Sequence, residues 1–230
     1  YLDNAATTPI CDAAKKAIIE HLDTFGNPSS SYELGYYSRM LIEDARARIA
    51  KCINAEPNEI YFTSGGSEAN SWALLARTRL ASWIEHHSIA TNYGFSVEEN
   101  GIANPEYVRY VIQHYPRDYY CPEMISCMTV NNEIGTIQPI KEIAAATHDG
   151  NLLFHTDAVQ AVGHIPIDVK DINCDMLSAS GHKFGSPKGS GFLYVKNGIE
   201  MFPLIHGGKQ ERGLRGGTEN VLGIIAMAAA

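Results

Sequence analysis

The sequence lacks a surplus of basic residues. Its 230 residues include 18 Lys and Arg against 26 Asp and Glu, a formal net charge of −8. Phosphate backbones and anionic membrane surfaces are bound by clustered positive charge, so this balance argues against a nucleic-acid or membrane-surface protein. No apolar run reaches the roughly 20 residues that a membrane-spanning helix needs. We therefore expect neither a nucleic-acid nor a membrane partner.

Cysteine is sparse and irregularly placed. The five cysteines are odd in number and form no CxxC pair. Such a pattern is typical of reduced thiols rather than of a disulfide framework or a zinc site, and it predicts a cytoplasmic protein without a metal. No signal peptide is apparent, and the sequence begins with Tyr1 rather than Met, so the natural N-terminus can lie upstream.

Short β-type runs alternate with helical periodicity along the chain. This alternation predicts an α/β fold with a mixed, mostly parallel sheet. We predict strands over 60–63, 124–130, 152–156, 175–178 and 191–195. We predict helices over 9–22, 34–52, 67–80, 105–113, 140–147 and 219–229. Neither a repeat nor a low-complexity linker interrupts the chain, so we treat residues 1–230 as one domain.

A lysine and an aspartate follow two of the predicted strands. Lys183 comes after the small polar run 178–182, and Asp157 ends the run that begins at Leu152. Ligands of open α/β sheets bind at the carboxyl ends of strands, and burial favours the neutral, nucleophilic amine of a lysine. The pair therefore suits pyridoxal phosphate, with Lys183 forming the Schiff base and Asp157 holding the pyridine nitrogen protonated. The alternatives are a solvated surface lysine and an aspartate that caps a helix.

A glycine turn joins the strand predicted at 60–63 to the next helix. Gly65 and Gly66 allow close backbone approach, and the N–H groups at a helix start favour an anion. Ser67 can be both helix cap and phosphate ligand, and Ser180 and His182 can bind phosphate beside Lys183. The same pattern is also typical of a plain turn and cap.

Two further polar motifs end or follow apolar runs. The adjacent histidines His86 and His87 offer a neutral imidazole that can stack on a flat ring and shuttle protons. A metal site is the competing interpretation, but adjacent rings on a strand point in different directions. The motif at 131–135, which contains Asn132, offers amides for a phenolate or a carboxylate, and its alternative role is a turn.

Taken together, these stretches resemble the cysteine desulfurases, pyridoxal-phosphate enzymes of the class V aminotransferase group. The resemblance is carried by YLDNAATTP at 1–9, FGNPSS at 25–30, TSGGSE at 63–68, EHHS at 85–88, NNEIG at 131–135, and an almost unbroken run from 154 through HK at 182–183 to RGGT at 215–218. It implies the three-layer α/β/α large domain of the fold-type I transferases. It also implies an N-terminal segment, 1–20, that enters the active site, and a small C-terminal domain that is largely absent.

The resemblance also implies a role for each site residue. Lys183 carries the cofactor and moves protons, Asp157 pairs with the ring nitrogen, and His86 stacks on the ring and assists acid–base steps. Gln160 and Asn132 contact the ring hydroxyl, and Asn132 also reaches the substrate. The phosphate is held by Gly66, Ser67, Ser180, His182 and, from the partner subunit of a homodimer, Thr218.

The implied reaction takes sulfur from L-cysteine and leaves L-alanine and an enzyme persulfide. A sulfur acceptor or scaffold protein then uses the persulfide for iron–sulfur cluster or thio-cofactor assembly. A selenocysteine lyase or another class V lyase or transferase is the alternative within the fold. An inactive fragment that serves as a binding or assembly module is the alternative from another class.

The chain departs from the family pattern in several places. The persulfide cysteine and the arginine for the substrate carboxylate are expected beyond residue 230, so we assign neither. Measured against the family pattern, a linker and most of a strand before Glu85 are missing, and a helix between His87 and Tyr93 is compressed. Tyr32 stands where the family usually has His. We interpret the short stretches as omitted segments, with a true deletion as the second possibility.

Overall fold

The structure is a computed structural model that describes residues 1–89, 91–116 and 121–230. Seven strands of these residues form one sheet in the order β1-β7-β6-β5-β4-β2-β3. The strands are β1 (Ile60–Thr63), β2 (Arg79–Ser82), β3 (Gly94–Phe95), β4 (Met124–Ser126), β5 (Leu153–Asp157), β6 (Met176–Ser180) and β7 (Gly191–Val195).

Helices cover both faces of the sheet. The described residues form α1 (Asp12–Glu20), α2 (Glu33–Cys52), α3 (Gly66–Ala73), α4 (Pro105–His114), α5 (Ile140–Asp149), α6 (Val169–Ile172) and α7 (Val221–Ala229). None of them combines the length and apolarity that crossing a bilayer requires.

The core is divided by the sheet into two layers of apolar side chains. Side chains alternate along each strand, so Leu177 of β6 faces the layer formed with α2, α4, α5 and α7. Its neighbour Met176 faces the other layer, where the fully buried Trp72 of α3 packs. The predicted three-layer α/β architecture with a mixed, mostly parallel sheet is confirmed.

Strand direction places the loops of interest at one edge of the sheet. The pairs β2–β3, β2–β4, β4–β5 and β5–β6 are parallel. Strand β7 runs antiparallel to both β6 and β1, so β1 points the same way as the parallel strands. The loops after β1, β2, β4, β5 and β6 therefore leave the sheet at the same carboxyl edge.

Side-chain caps explain where several helices begin. The Asn104 side chain accepts from the backbone N–H groups of Glu106 and Tyr107, and Pro105 occupies the first helical position of α4. Asp168 caps α6 and Asn220 caps α7 in the same way. The helices predicted at 105–113 and 219–229 accordingly agree with α4 and α7 to within two residues.

The helix predicted over 67–80 is wrong beyond Ala73. Ala76 has a positive φ of 57°, which a right-handed helix cannot contain. The chain then enters β2, whose backbone pairs with both β4 and β3. The expectation that most of a strand is missing before Glu85 is therefore wrong, because β2 is present with four residues.

The strand predicted over 124–130 is also too long. Regular pairing stops at Ser126, after which the chain turns and Val130 forms an isolated bridge with Ile137. The backbone N–H groups of Cys127 and Thr129 still donate to the backbone carbonyls of His155 and Asp157. This loop therefore stays against the end of β5, although it is no longer a strand.

Candidate active site

A cavity of about 350 Å³ opens at the carboxyl edge of the sheet. Loops after β1, β2, β4, β5 and β6 and the N-terminal segment supply its walls. Nine of the ten residues predicted for the site line this cavity: Gly66, Ser67, His86, Asn132, Asp157, Gln160, Ser180, His182 and Lys183. Residues far apart in sequence are thus brought together, although their individual roles stay predictions.

Asp157 is the last residue of β5 and is 4% exposed. Its Oδ1 accepts from the backbone N–H of Val159 at 2.9 Å, and its Oδ2 accepts from Asn70 Nδ2 at 2.7 Å. Burial raises the pKa of Asp157, and these hydrogen bonds and the nearby Lys183 charge act against that rise. The carboxyl group is held in one orientation and is suited to a cationic partner.

Lys183 ends a short 3₁₀ turn that follows β6. Its Nζ donates to the carbonyl oxygens of Ala5 at 2.5 Å and Ala6 at 2.9 Å. Burial lowers the pKa of Lys183, and the charges of Asp157 and Asp3 partly offset that effect. A lysine in such surroundings loses its proton more readily and becomes a better nucleophile.

The N-terminal segment forms one wall of the cavity. Gln160 Nε2 donates to Ala5 at 2.8 Å, and the backbone N–H of Thr8 donates to the carbonyl of His182 at 3.0 Å. These bonds place the Ala5 and Ala6 carbonyls beside the Lys183 amine. The side chains of two alanines give no sequence signal for such a role.

The start of α3 forms a second part of the wall. No side chain of the described residues caps its first N–H groups. A Cβ added at Gly66 would lie 2.5 Å from Val159 Cγ2, so glycine allows the turn to pack closely against the end of β5. The Ser180 hydroxyl lies across from Gly65, 3.5 Å from where a Cβ on that glycine would sit. Uncapped N–H groups beside hydroxyls suit an anion.

His182 lies next to this anion-suited corner. Its Nδ1 is 3.1 Å from the Thr7 hydroxyl. Burial lowers the pKa of His182, and the positive charges of Lys183 and Lys188 lower it further. The neutral ring can therefore give an N–H hydrogen bond without needing a second positive charge in the corner.

Glu85 ties the His86 loop to the loop after β4. Its Oε1 accepts from Ser82 Oγ at 2.5 Å and from the backbone N–H of Met128 at 2.6 Å. Its Oε2 is buried without a partner among the described residues. Burial, together with the charge of Asp157, raises the pKa of Glu85 to about 8. The acid is therefore mostly neutral at pH 7.

The two asparagines after β4 divide the roles that the sequence left open. Asn131 Oδ1 accepts from the backbone N–H groups of Glu133 and Ile134, and its Nδ2 donates to the Ile84 carbonyl. Asn131 therefore builds the turn. Its neighbour Asn132 lines the cavity.

Thr218 is the predicted residue that does not line the cavity. It borders a separate hollow of about 160 Å³ together with Ser64 and Gly217. Arg215 anchors this segment by donating from Nε to Glu68 Oε1 of α3 at 2.8 Å. Although burial raises it, the hydrogen bonds from Arg215 and Ser64 lower the pKa of Glu68 below its ordinary value. Thr218 is thus fixed near the start of α3 but faces another surface.

The adjacent histidines do not form a metal cluster with other side chains. The ring centroids of His86 and His87 are 5.9 Å apart, with planes tilted by 54°. Within residues 1–89, 91–116 and 121–230, no three His, Cys, Asp or Glu side chains are placed to hold one ion.

Several cavity residues were not predicted. Asp3, Ala5, Ala6, Asn70, Met128 and Val159 also line it. Asn70 follows Ser67 by three residues, and helical periodicity places it on the same face of α3, so this residue had a usable signal. Asp3, Ala5 and Ala6 belong to the N-terminal segment 1–20 that the resemblance predicts to enter the active site, although none of them was singled out as a site residue. Met128 and Val159 had no signal beyond their neighbours.

Comparisons with known proteins agree with this geometry. The sequence profile of the family described as Aminotransferase class-V matches residues 1–230. A protein named cysteine desulfurase IscS from Methanosarcina thermophila is 45% identical over 251 residues, which cover 100% of this chain and 61% of that protein. The cysteine desulfurase NifS of Azotobacter vinelandii is 39% identical, with 100% and 61% covered. The chain thus spans about three-fifths of the length of these relatives.

Solved structures show the same likeness. A structure titled SspA in complex with cysteine has a TM-score of 0.90 and 35% identity, covering 99% of this chain and 71% of that one. A NifS-like protein from Rickettsia africae has a TM-score of 0.90 and 33% identity, covering 99% and 66%. The sequence profile matches residues 1–230 and the fold likeness covers 99% of the chain, so the chain is a member of the class-V aminotransferase family.

Proposed function

We propose that this chain binds pyridoxal phosphate at the carboxyl edge of its sheet and belongs to a cysteine desulfurase acting on L-cysteine. The observation that carries the proposal is that Lys183 and Asp157 line one cavity together with the uncapped start of α3. The names of the IscS and NifS relatives support the activity, and the SspA complex supports cysteine as substrate.

The residues of the cavity fit this cofactor. The Lys183 amine suits an aldehyde, and the Asp157 carboxylate suits a protonated ring nitrogen. The start of α3 at Gly66 and Ser67, with Ser180 and His182 opposite, suits a phosphate. Gln160 and Asn132 add amide groups for the ring hydroxyl, and His86 adds a flat ring for stacking.

When bound, pyridoxal phosphate supplies an electron sink that labilises bonds at the α- and β-carbons of an amino acid. Lys183, whose pKa is lowered by burial, moves a proton at its Nζ. Asp157 stabilises positive charge on the ring side of the cavity. His86 is exposed and also lines the cavity, so its ring can stack on the cofactor and assist acid–base steps. None of the five cysteines lines the cavity, so we place the persulfide on none of them.

We also propose a homodimer in which Thr218 completes the phosphate site of a second copy. Thr218 is anchored near the start of α3 through Arg215 and Glu68, yet it does not line the cavity of its own chain. Transfer of sulfur to an acceptor or scaffold protein belongs to the same proposal.

The cofactor assignment is tested with Lys183→Ala. The full-length protein is mixed with pyridoxal phosphate, reduced with borohydride, digested and examined by mass spectrometry. The wild type and the control Lys188→Ala, which removes an exposed lysine nearby, should carry the adduct on the peptide containing position 183. An adduct that forms equally well in Lys183→Ala would refute the assignment.

The substrate is tested by alanine release from cysteine and from selenocysteine. We expect the full-length wild type to release alanine from cysteine and Lys183→Ala to release none. Release from selenocysteine alone would favour a selenocysteine lyase. Cofactor binding without either activity would favour a binding or assembly module.

A further inference from the structure

A chain of hydrogen bonds connects Asp157 to His86, and both of these residues line the cavity. Asn70 Nδ2 donates to Asp157 Oδ2 at 2.7 Å and to Ser88 Oγ at 2.8 Å. Ser88 Oγ in turn lies 2.8 Å from His86 Nδ1. Asn70, 1% exposed in the interior of α3, is the fixed member of this relay.

The direction of each bond in the relay follows from the carboxyl end. Asp157 Oδ2 accepts, so the Asn70 amide must present its NH₂ group, since the reversed amide would set an oxygen against the carboxyl oxygen. One amide hydrogen serves Asp157 and the other serves Ser88. Because Ser88 Oγ accepts from Asn70, its own hydrogen is free to point at His86 Nδ1.

The relay fixes which ring nitrogen of His86 carries the hydrogen. Nδ1 faces the Ser88 hydroxyl and also the backbone N–H of Ser88 at 3.2 Å, so two donors meet it. A nitrogen that accepts two hydrogen bonds carries no hydrogen of its own. The hydrogen of the neutral ring then sits on Nε2.

We propose that Asn70 and Ser88 are positioning residues that couple two groups of the cavity wall, orienting the Asp157 carboxyl and holding His86 as the Nε2–H tautomer. The importance of Asp157 and His86 rests on the proposed function, whereas the relay itself does not. Neither positioning residue was predicted from the sequence.

The relay joins an anchored side chain to a less anchored one. Asp157 sits in the sheet and Asn70 in a helix that packs through Trp72, whereas His86 lies in an exposed loop. Hydrogen bonding of the second nitrogen is the usual way in which a protein sets the tautomer and ring orientation of a functional histidine. Ser88 therefore transmits the rigidity of α3 to His86.

The proposal is tested by ¹⁵N NMR of the histidine rings in full-length protein, before and after loading with pyridoxal phosphate. Loss of a signal in His86→Gln identifies His86. We expect Nε2–H to dominate in the wild type, and Ser88→Ala and Asn70→Ala each to shift the tautomer ratio about fivefold toward Nδ1–H, as expected for one lost hydrogen bond. Ser88→Thr, which keeps the hydroxyl, should restore the ratio. Ser71→Ala, on the exposed side of α3, is the control.

The decisive variant is Asn70→Ala, because Asn70 does not touch His86. A changed His86 ratio in Asn70→Ala supports the relay. If Asn70→Ala does not fold, Ser88→Ala and its Thr rescue decide the outcome. Unchanged ratios in the folded variants, or a wild-type ring with its hydrogen on Nδ1, would overturn the proposal. The spectra of the cofactor-free protein test the relay by themselves. Failure of the wild-type protein to bind pyridoxal phosphate would count against the proposed function and not against the relay.

Discussion

Replacing Glu85 by Gln should remove a large pH-dependent cost to stability. The folded protein raises the pKa of this carboxyl from 4.5 to about 8 through burial and the charge of Asp157. Below pH 4.5 the acid is protonated in both folded and unfolded chains and contributes nothing. As the pH rises toward 8, the unfolded chain ionises first, so the folded state loses stability. The Gln side chain does not ionise, so the stability of Glu85→Gln does not fall for this reason as the pH rises.

The expected loss of stability follows from the shift in the Glu85 pKa. At about 1.4 kcal/mol per pH unit, a rise from 4.5 to about 8 costs on the order of 5 kcal/mol above pH 8 and about 3 kcal/mol at pH 7. The amide of Gln keeps an acceptor for Ser82 and Met128 in place of Oε1. Any effect of placing NH₂ where Oε2 lies is independent of pH and leaves the slope unchanged.

The measurement is urea unfolding of wild type and Glu85→Gln at a series of pH values from 4 to 9. The difference between their unfolding free energies should be flat below pH 4.5, change by about 1.4 kcal/mol per unit up to pH 8, and level off above it. Glu99→Gln, which alters an exposed acid, is the control and should show no such slope. A Glu85→Gln difference that stays constant from pH 4.5 to 8 would contradict a neutral, buried Glu85.

Three further predictions concern the framework of the site. Arg46 donates to the equally buried Glu211 at 2.8 Å, so Glu211→Ala should lower the free energy of urea unfolding by about 3–5 kcal/mol. Adding Arg46→Met should recover part of this loss, because no buried charge is then left without its partner. A double variant less stable than Glu211→Ala would contradict this reasoning. A Cβ at Gly191 would lie 2.6 Å from Gly65 Cα, so Gly191→Ala should lower the unfolding free energy by about 1–3 kcal/mol. It should also weaken pyridoxal phosphate binding in an absorbance titration. Wild-type stability together with wild-type affinity in this variant would show that the close packing is unimportant. Burial, with the charge of Arg79, lowers the pKa of His155 to about 3, whereas the ring in the unfolded chain binds a proton near pH 6.5. The unfolding free energy of the wild type should therefore fall as the pH drops from 6.5 to 3, and that of His155→Gln should fall less steeply. Equal slopes of unfolding free energy against pH would refute a buried neutral His155.

The regular parts of the fold were predictable because their signals are local. The strands at 60–63 and 191–195 match β1 and β7 residue for residue. Both are apolar β-type runs next to glycine-rich turns, which mark strand ends without knowledge of the partner strands.

Strand β2 could not be predicted because its identity is not local. Its sequence, Arg79-Leu80-Ala81-Ser82, contains residues that favour helices. The segment becomes a strand because β4 and β3 hydrogen-bond to it on either side. Pairing with distant strands overrides propensity here, and the sequence shows no sign of that pairing.

The site was predicted where polar side chains follow apolar strands. Lys183, Asp157 and Asn132 all follow this rule, and all three line the cavity. The rule does not identify Ala5 and Ala6, because they contact Lys183 through their backbone carbonyls. It does not identify Glu85 either, because the raised pKa of this residue comes from burial in the folded chain.

Helix α3 links the two ends of the proposed cofactor site. Gly66 and Ser67 at its start line the part of the cavity proposed for the phosphate, while Asn70, about one turn later, donates to Asp157, the residue proposed for the ring nitrogen. One turn of helix spans about 5 Å along its axis and is nearly incompressible, so both contacts move together. The helix is held by Trp72, which is fully buried and donates from Nε1 to the Phe202 carbonyl at 2.9 Å. The distance between the proposed phosphate contacts and the Asn70–Asp157 hydrogen bond is therefore set by helix geometry rather than by loops.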